Sequence, residues 1–287
     1  MPDKPVIAIT VGDPAGIGPE IAKKAASDKS VLSLCKPVVI GSCDGFTPAK
    51  PSPASGKAAI DFLLEAVSLL KNKSADALVT APATKSSFGV LGGYTEYLAK
   101  LTGTKHVEML MIAGKIRVLL LTRHIPLKTV SGHISAKKII KAAEFSGTYI
   151  KKYFLDISSS PKIAICGLNP HLSDNGLAGT EEKNIIAPAI EALRKNGIDA
   201  EGPYLAEKVF GAGKNDFDLI ICLYHDQGML PLKIIAPEKI VNLTIGLPFI
   251  RTSPGHGTAF DIAGKGIADP QPMIEAIKLA CRCCLIK

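Results

Sequence analysis

The feature that most constrains the fold of this sequence is the alternation of short, continuous apolar runs with longer segments of helical periodicity. Continuous apolar runs of four to eight residues are typical of strands buried on both faces of a sheet. They predict strands at residues 5–11, 37–40, 77–79, 107–112, 116–122, 162–166, 218–223 and 240–245. The helical patterns predict helices at residues 19–27, 57–71, 136–153, 182–195 and 272–285. The sequence therefore predicts an α/β protein with a largely parallel sheet covered by helices.

Composition narrows the class of protein further. The chain has 287 residues, of which 47% are hydrophobic, enough for one large domain or two smaller ones and too many for a disordered chain. No stretch of 18 uncharged apolar residues is present, so we expect no membrane span. The first apolar run is too short for a signal sequence, and we expect a cytoplasmic protein.

The net charge of +8 and the seven cysteines do not by themselves define a partner. The lysines fall in pairs on predicted helix faces without interleaved aromatic residues, which favours solvated surfaces over nucleic-acid binding. Cys281, Cys283 and Cys284 form a cluster, but no second Cys/His pair lies at zinc-finger spacing. We therefore expect reduced, mostly buried thiols. We expect no nucleic-acid partner, and the charge is compatible with an anionic small substrate.

Chemistry is expected in the loops that follow the strands, because α/β sheets bind ligands beyond the carboxyl ends of their strands. The first of these loops contains Gly12, Gly16 and Gly18, which allow backbone N–H groups to approach an anion. A tight strand-to-helix turn is the alternative. A second loop, residues 80–85, offers hydroxyl groups and Lys85 to a phosphate or carboxylate, or is a turn with an exposed lysine.

Four of the six histidines, His124, His171, His225 and His256, follow apolar strands. Imidazoles that meet at one edge of a sheet would form a divalent-metal site, and zinc favours nitrogen ligands with one position open for substrate. Their spacing matches no local metal motif, so this hypothesis rests on the topology. Each histidine considered alone is more simply a structural residue.

The segment 224–261 is dense in polar residues that suit an active site. Arg251 follows an apolar strand, where a guanidinium can bind a carboxylate or phosphate through two hydrogen bonds. Lys233 or Asp226 is a candidate acid or base, since the pKa of a lysine falls beside a metal and an arginine. Asn242 lies between Lys233 and Arg251 in the sequence, and a structural ion-pair network of the charged residues is the alternative.

Together these motifs resemble the 4-hydroxythreonine-4-phosphate dehydrogenase family of pyridoxal phosphate biosynthesis, the PdxA family. The matching stretches are ITVGDPAGIGPE, ALVTAPATK, TEYLA, RHIPL, GLNPH with GTEE, YHDQG with LK, VNLTIGLPFIRTS and HGTAFDIAGKG. The last also looks like the cofactor loop of isocitrate and isopropylmalate dehydrogenases. The resemblance implies an isocitrate/isopropylmalate dehydrogenase-like fold with two α/β domains and a cleft between them. It also implies a homodimer with the active site at the interface.

The resemblance implies domain boundaries and site residues as well. We expect an NAD-binding outer domain over residues 1–90 and 240–287, and a central metal, substrate and dimerisation domain over residues 91–239. The implied metal ligands are His124, His171 and His225, the last from the partner subunit. The implied substrate contacts are Tyr94, Thr95, Lys233, Asn242 and Arg251, and the catalytic candidates are Lys233 and Asp226. The residues expected to bind the cofactor are Gly12, Asp13, His256, Gly257, Thr258, Ala259, Asp261 and Lys265.

The implied reaction is NAD-dependent oxidation of the secondary alcohol of 4-phosphohydroxy-L-threonine. Decarboxylation would follow and give 3-amino-2-oxopropyl phosphate. The expected cofactors are NAD, with NADP as the alternative, and a divalent metal, zinc or else magnesium or cobalt.

Several positions depart from the family pattern and bear on the substrate. Tyr94 stands where the family usually has histidine, Leu172-Ser173-Asp174 stands where it usually has Ala-Gly-Glu, and residues 43–55 form a shortened segment. One alternative is therefore a relative that oxidises a phosphorylated threonate or erythronate, or a cyclic diol carboxylate. Another is a non-catalytic paralogue that binds nucleotide or metal.

Overall fold

The computed structural model describes residues 3–156, 158–211 and 216–286, apart from the side chains of residues 85, 90 and 91. The fold divides into two compact units. Unit 1 comprises Met1–Val107 and Glu238–Lys287, and unit 2 comprises Glu108–Pro237. Unit 1 is therefore assembled from both ends of the chain, whereas unit 2 is one continuous segment.

The strands and helices alternate along most of the chain, as the apolar pattern predicts. The strands are β1 (Val6–Thr10), β2 (Lys36–Ile40), β3 (Ala77–Thr80), β4 (Glu108–Ala113), β5 (Ile116–Leu120), β6 (Ile163–Cys166), β7 (Ala200–Tyr204), β8 (Leu219–Cys222), β9 (Ile240–Ile245) and β10 (Ile250–Pro254). The helices are α1 (Gly18–Ala26), α2 (Lys29–Leu34), α3 (Pro53–Lys71), α4 (Tyr94–Thr102), α5 (Ala136–Phe154), α6 (Ala187–Lys195), α7 (Ala206–Phe210), α8 (His225–Ile235) and α9 (Gln271–Leu285).

In unit 1 the strands lie in the order β2-β1-β3-β10-β9 and are covered on both faces. All neighbours are parallel except β10 and β9, which form an antiparallel hairpin. Ile7 and Ile9 of β1 point into a core shared with α1 and α9, whereas Ala8 points to the opposite core with Leu63 of α3. Burial on both faces explains why β1 is apolar at every position rather than at alternate ones.

Helix α3 begins at Pro53, four residues before the predicted start at residue 57. The Ser52 hydroxyl accepts a hydrogen bond from the Ser55 backbone N–H, and the Ser55 hydroxyl accepts one from the Ser52 N–H. This reciprocal capping arrangement, with proline at the first helical position, satisfies donors that the helix start would otherwise leave unpaired. The prolines of this segment indicate a loop, yet one of them lies inside the helix.

In unit 2 the strands lie in the order β4-β5-β8-β6-β7. Strands β4 and β5 form the predicted antiparallel hairpin, which turns at Gly114 with φ +62°. The pairs β5–β8, β8–β6 and β6–β7 are parallel. Helix α5 begins at the predicted residue because the Ser135 side chain accepts a hydrogen bond from the Lys138 N–H. Each unit therefore has an antiparallel hairpin beside its parallel strands.

The expectation of α/β architecture is confirmed, but three elements near the candidate site are absent from the sequence prediction. Helix α8 contains Pro231, which normally argues against a helix. Strand β10 is polar in sequence, yet Arg251, Thr252 and Ser253 are all buried. Helix α4 follows directly on the Gly-rich residues 92–93 and has no side-chain cap. In each case contacts with the rest of the unit outweigh the local sequence preference.

Within the described ranges, no helix combines the length and the apolar character needed to cross a membrane. The seven cysteines are free thiols, and six of them are buried, with Cys43 the exposed one. Burial of the thiols is what the irregular cysteine spacing predicted.

Candidate functional site

Three candidate metal ligands follow the carboxyl ends of three neighbouring parallel strands in unit 2. His124 follows β5, His225 follows β8 and His171 follows β6, and the strand order is β5-β8-β6. The rings of His124 and His225 are neighbours, with centroids 5.8 Å apart. The parallel topology thus brings two of these histidines together within one chain. That His225 serves the partner subunit stays a prediction.

Asp226 orients the ring of His225. Both residues lie in the first turn of α8 rather than in the loop expected from the sequence. Asp226 Oδ1 lies 3.0 Å from His225 Nδ1. Because a carboxylate can only accept, Nδ1 carries the hydrogen and Nε2 of the neutral ring keeps its lone pair for a metal. A carboxylate on the far nitrogen is the usual partner of a metal-binding histidine.

His171 lies in a loop of unusual backbone conformation after β6. The five consecutive residues 171–175 have φ between 43° and 71°, the left-handed region that non-glycine residues rarely adopt. Among the described residues, no three His, Cys, Asp or Glu side chains are already grouped as a metal site. The imidazole chemistry of the three residues fits a divalent metal, whereas the full ligand set stays a prediction.

Two adjacent carboxylates hold the His171 loop. Glu182 is 4% exposed and accepts hydrogen bonds from the Leu168 N–H at 2.7 Å, the Asn169 N–H at 2.7 Å and the Asn169 amide at 3.0 Å. The Ser173 hydroxyl donates to the same carboxylate. Burial raises the pKa of Glu182, but these hydrogen bonds outweigh it and the net shift is downward. The carboxylate therefore stays charged and fixes both ends of the loop.

The neighbouring Glu181 makes a second set of contacts to the same loop. Its carboxylate accepts hydrogen bonds from the hydroxyl of Ser131 and, at 2.8 Å, from the amide of Asn169. These two hydrogen bonds lower the pKa of Glu181 to about 2. Asn169 thus donates to both carboxylates. In the sequence the GTEE stretch is a family motif, and its pattern does not predict a role for either glutamate.

Sequence reasoning also missed Gln227, which joins two of the histidine loops. Its side-chain oxygen accepts from the Leu223 N–H at 2.7 Å, and its amide donates to the Gly167 carbonyl at 2.6 Å. The Thr122 hydroxyl donates to the Leu223 carbonyl at 2.6 Å. This hydrogen bond connects the loop of His124 with the loop of His225. The ends of β5, β8 and β6 are therefore tied through buried polar contacts. The YHDQG motif contained this glutamine, but nothing in its spacing revealed the backbone partners.

We expect Gln227→Met to lower the free energy of unfolding by about 2–4 kcal/mol, because a buried N–H and a buried carbonyl lose their partners while the side-chain volume is retained. Urea unfolding of the purified protein measures this difference. Gln271→Met is the matched control, since the Gln271 amide bonds only the Glu275 side chain, and it should change stability by about 0.5 kcal/mol or less. Equal stabilities of the two variants would contradict the role given to Gln227.

In unit 1, Arg251 is a buried cation that forms no salt bridge with a described carboxylate, although the charge of Glu96 acts on it. It is 2% exposed, and its guanidinium donates to Thr244 Oγ1 at 2.9 Å and to Thr80 Oγ1 at 2.6 Å. Its Nε has no hydrogen-bond partner in the described part of the chain. Burial lowers the pKa of Arg251 to about 10, so the group is still charged at neutral pH. A buried charge of this kind is costly unless an anion neutralises it.

Tyr94 and Asn242 lie in the same unit as Arg251. The Tyr94 ring centroid is 5.2 Å from the guanidinium carbon of Arg251. Burial raises the pKa of Tyr94, and the charges of Asp13 and Arg251 act on it in opposite directions. Asn242 is 6% exposed and pairs with Ser253 across the β9–β10 hairpin, and its Oδ1 has no partner among the described atoms. These residues supply one cation and one open acceptor to a ligand.

The two segments expected to bind the cofactor lie side by side in unit 1. The Ile17 N–H donates to the Thr258 carbonyl at 3.0 Å. Gly12 has φ +69°, and a Cβ there would lie 2.2 Å from the Pro82 carbonyl oxygen, so no other residue fits. Asp13 is 1% exposed, and its Oδ2 has no partner within the described structure. This buried acceptor fits an N–H or O–H donor of a nucleotide cofactor.

The remaining expected residues differ in their exposure. Thr95 is buried in the first turn of α4, whereas Lys233 is exposed in the last turn of α8. The side chain of Lys85 lies outside the described residues. The other residues expected to bind the cofactor form an irregular segment that follows β10: His256, Gly257, Thr258, Ala259, Asp261 and Lys265.

The fold and these residues define a class of α/β protein. In unit 2, three histidines follow the carboxyl ends of neighbouring parallel strands, and in unit 1 a buried arginine has an unpaired N–H that can bind an anion. The family model described as pyridoxal phosphate biosynthetic protein PdxA matches residues 12–280. The chain belongs to this family, and the resemblance expected from its motifs is confirmed.

Individual relatives agree with this assignment. The chain is 41% identical over 315 residues to a 4-hydroxythreonine-4-phosphate dehydrogenase of Sulfurihydrogenibium sp., covering 96% of this chain and 97% of that protein. It is 39% identical over 321 residues to a D-threonate 4-phosphate dehydrogenase of Cupriavidus necator, covering 96% of each. A crystal structure of 4-hydroxythreonine-4-phosphate dehydrogenase from Klebsiella pneumoniae superposes with a TM-score of 0.82 at 31% identity, covering 98% of both chains.

Proposed function

We propose that this protein is an NAD-dependent, divalent-metal-dependent dehydrogenase that oxidises and decarboxylates 4-phosphohydroxy-L-threonine to 3-amino-2-oxopropyl phosphate. The observation that carries the proposal is Arg251, a buried cation with an unpaired Nε and no carboxylate partner among the described residues. A phosphorylated hydroxy acid supplies the missing anion.

The residues of unit 1 would bind the anionic substrate and the cofactor. The Arg251 Nε donates to an oxygen of the phosphate or carboxylate, and the Asn242 Oδ1 accepts from a substrate O–H or N–H. The Asp13 Oδ2 accepts from a donor of the cofactor, beside the segment that contains Thr258. NAD supplies the hydride acceptor when it is bound, and NADP is the alternative.

The residues of unit 2 would bind the metal and move the protons. His124, His171 and His225 supply the nitrogen ligands, and Asp226 holds the His225 ring in the required tautomer. A bound divalent metal, zinc or else magnesium or cobalt, would polarise the substrate oxygen and favour the developing carbonyl. Lys233, as the neutral amine, or else Asp226 is our candidate to accept the hydroxyl proton and to return one after carbon dioxide leaves.

A second substrate has specific support. One relative is a D-threonate 4-phosphate dehydrogenase, and Tyr94 replaces the histidine that the family usually has at this position. A phosphorylated threonate or erythronate keeps the phosphate, the carboxylate and the secondary alcohol on which the proposal depends. A cyclic diol carboxylate keeps only the carboxylate and the alcohol. A non-catalytic paralogue would bind nucleotide or metal without turnover.

The proposal includes a cytoplasmic homodimer whose domains enclose the active site at the subunit interface. Exposed apolar side chains of unit 2 support a second copy as the partner. Leu230 and Ile234 lie one turn apart on α8 and are 58% and 72% exposed. A helix face of this kind is normally covered in an assembly.

A coupled absorbance assay for NADH tests the proposal. Purified protein with a divalent metal and NAD should reduce NAD in the presence of 4-phosphohydroxy-L-threonine or D-threonate 4-phosphate. The ratio of kcat/KM values identifies the preferred substrate. His124→Ala should abolish turnover and lower the bound metal measured by elemental analysis. NAD binding without NADH formation from any substrate in the panel would refute both enzyme hypotheses.

A further inference from the structure

We propose that Tyr94 is a positioning residue for Arg251, acting through its aromatic ring, rather than a substrate contact acting through its hydroxyl group. This inference deepens the proposed function and rests on it for the identity of the anion. It concerns only unit 1, and each contact that supports it lies within that unit.

The first argument is how Arg251 is held. Two of its nitrogens are occupied by Thr244 and Thr80, which lie on β9 and β3 on either side of β10. The Tyr94 ring is positioned over the guanidinium, 5.2 Å from its carbon, at a distance typical of a cation–π contact. Nε has no partner among the described residues, so it is one N–H that a ligand can use. The threonines hold two of the guanidinium nitrogens, and the ring of Tyr94 lies against its carbon.

The second argument is how Tyr94 itself is held. Its ring lies 4.6 Å from that of Phe88, which is 5% exposed, and Phe88 also contacts Tyr97 at 5.6 Å. The Tyr94 hydroxyl is buried near Thr10, which is 0% exposed, and neither hydroxyl has a hydrogen-bond partner in the described part of the chain. The hydroxyl thus faces the end of β1 while the ring faces Arg251. The observed contact between Tyr94 and Arg251 is therefore made by the ring.

The third argument is chemical. A phenol ring supplies a negative face that favours the guanidinium without competing with an anion for its N–H groups. A carboxylate at this position would pair with Arg251 and block it. A histidine would become cationic at low pH and repel it. Burial raises the pKa of Tyr94 above its ordinary value, so the phenol is neutral near neutral pH.

The test measures the affinity of the full-length protein for inorganic phosphate by isothermal titration calorimetry, in Tyr94→Leu, Tyr94→Phe and wild-type protein. Tyr94→Leu removes the ring and should weaken phosphate binding about 5- to 30-fold. Tyr94→Phe keeps the ring and should restore the affinity to within about threefold of wild type. In the NADH assay the loss in Tyr94→Leu should appear in KM with kcat less affected, as expected for a positioning residue.

Tyr97→Leu is the matched control, because Tyr97 lies on the same helix and contacts Phe88 but not Arg251. It should leave phosphate affinity unchanged. Equal losses in Tyr94→Phe and Tyr94→Leu would overturn the proposal and assign the role to the hydroxyl. Full affinity in Tyr94→Leu, or no phosphate binding by the wild type, would overturn it as well. Ring-dependent phosphate binding without oxidation of any hydroxy acid would retain this inference while refuting the proposed function.

Discussion

We expect Glu182→Ala to lower the free energy of unfolding by about 3–5 kcal/mol, a large fraction of the stability of an ordinary domain. The substitution removes a buried carboxylate and leaves the Leu168 and Asn169 N–H groups and the Ser173 hydroxyl without their acceptor, while the Asn169 amide keeps its hydrogen bond to Glu181. Each unsatisfied buried donor costs about 1–3 kcal/mol. The loss also frees residues 171–175 from a backbone conformation that they adopt only under constraint.

Urea unfolding followed by circular dichroism measures the effect. Glu191→Ala is the control, because Glu191 is exposed on α6, and its removal should change stability by about 0.5 kcal/mol or less. Bound metal, measured on the folded fraction, should fall in Glu182→Ala, since the His171 loop is no longer fixed. A Glu182→Ala protein as stable as the control variant would refute the view that this carboxylate holds the loop.

The second large effect is expected at Arg251. We expect Arg251→Lys to lower kcat/KM about 10²- to 10³-fold, because an ammonium cannot reproduce a planar guanidinium that donates to Thr80, Thr244 and an anion at once. The positive charge is retained, so the loss reports geometry rather than charge. Steady-state NADH formation with the preferred phosphorylated hydroxy acid gives the value.

Arg282→Lys provides the comparison for this prediction. Arg282 is an exposed residue of α9 in the same unit, and the substitution should leave kcat/KM within about twofold of wild type. Arg251→Lys loses hydrogen bonds to buried threonines and should unfold at a lower temperature, so kcat/KM is measured where circular dichroism shows the variant to be folded, which separates a loss of function from a loss of fold. Wild-type kcat/KM in Arg251→Lys would remove Arg251 from the site.

The sequence was sufficient to predict the strands whose residues are buried on both faces of a sheet. Such burial favours apolar residues at every position, which gives a continuous apolar run in the sequence. It also predicted that His124, His171 and His225 follow strands. It did not predict that these strands are neighbours in the order β5-β8-β6, since strand order depends on contacts between distant segments. The proximity of the His124 and His225 rings is a consequence of that order.

Other features of the site lie beyond sequence patterns for identifiable physical reasons. Strand β10 contains Arg251, which a hydropathy pattern assigns to a loop, and contacts with Thr80, Thr244 and the Tyr94 ring make its burial possible. Glu182 and Gln227 look like ordinary surface residues in the sequence. Their roles arise from backbone groups that become unpaired where strands end, and the side chains satisfy them.

The construction of unit 1 from both ends of the chain has a consequence for synthesis in the cell. Strand β10 lies between β3 and β9, and α9 packs on the core that also contains Ile7 and Ile9. During translation the N-terminal strands therefore cannot complete their unit until the segment Glu238–Lys287 has been synthesised. The continuous segment Glu108–Pro237 is complete earlier. A ribosome stalled before β9 would present a nascent chain with β3 unpaired along one edge, a surface suited to chaperones.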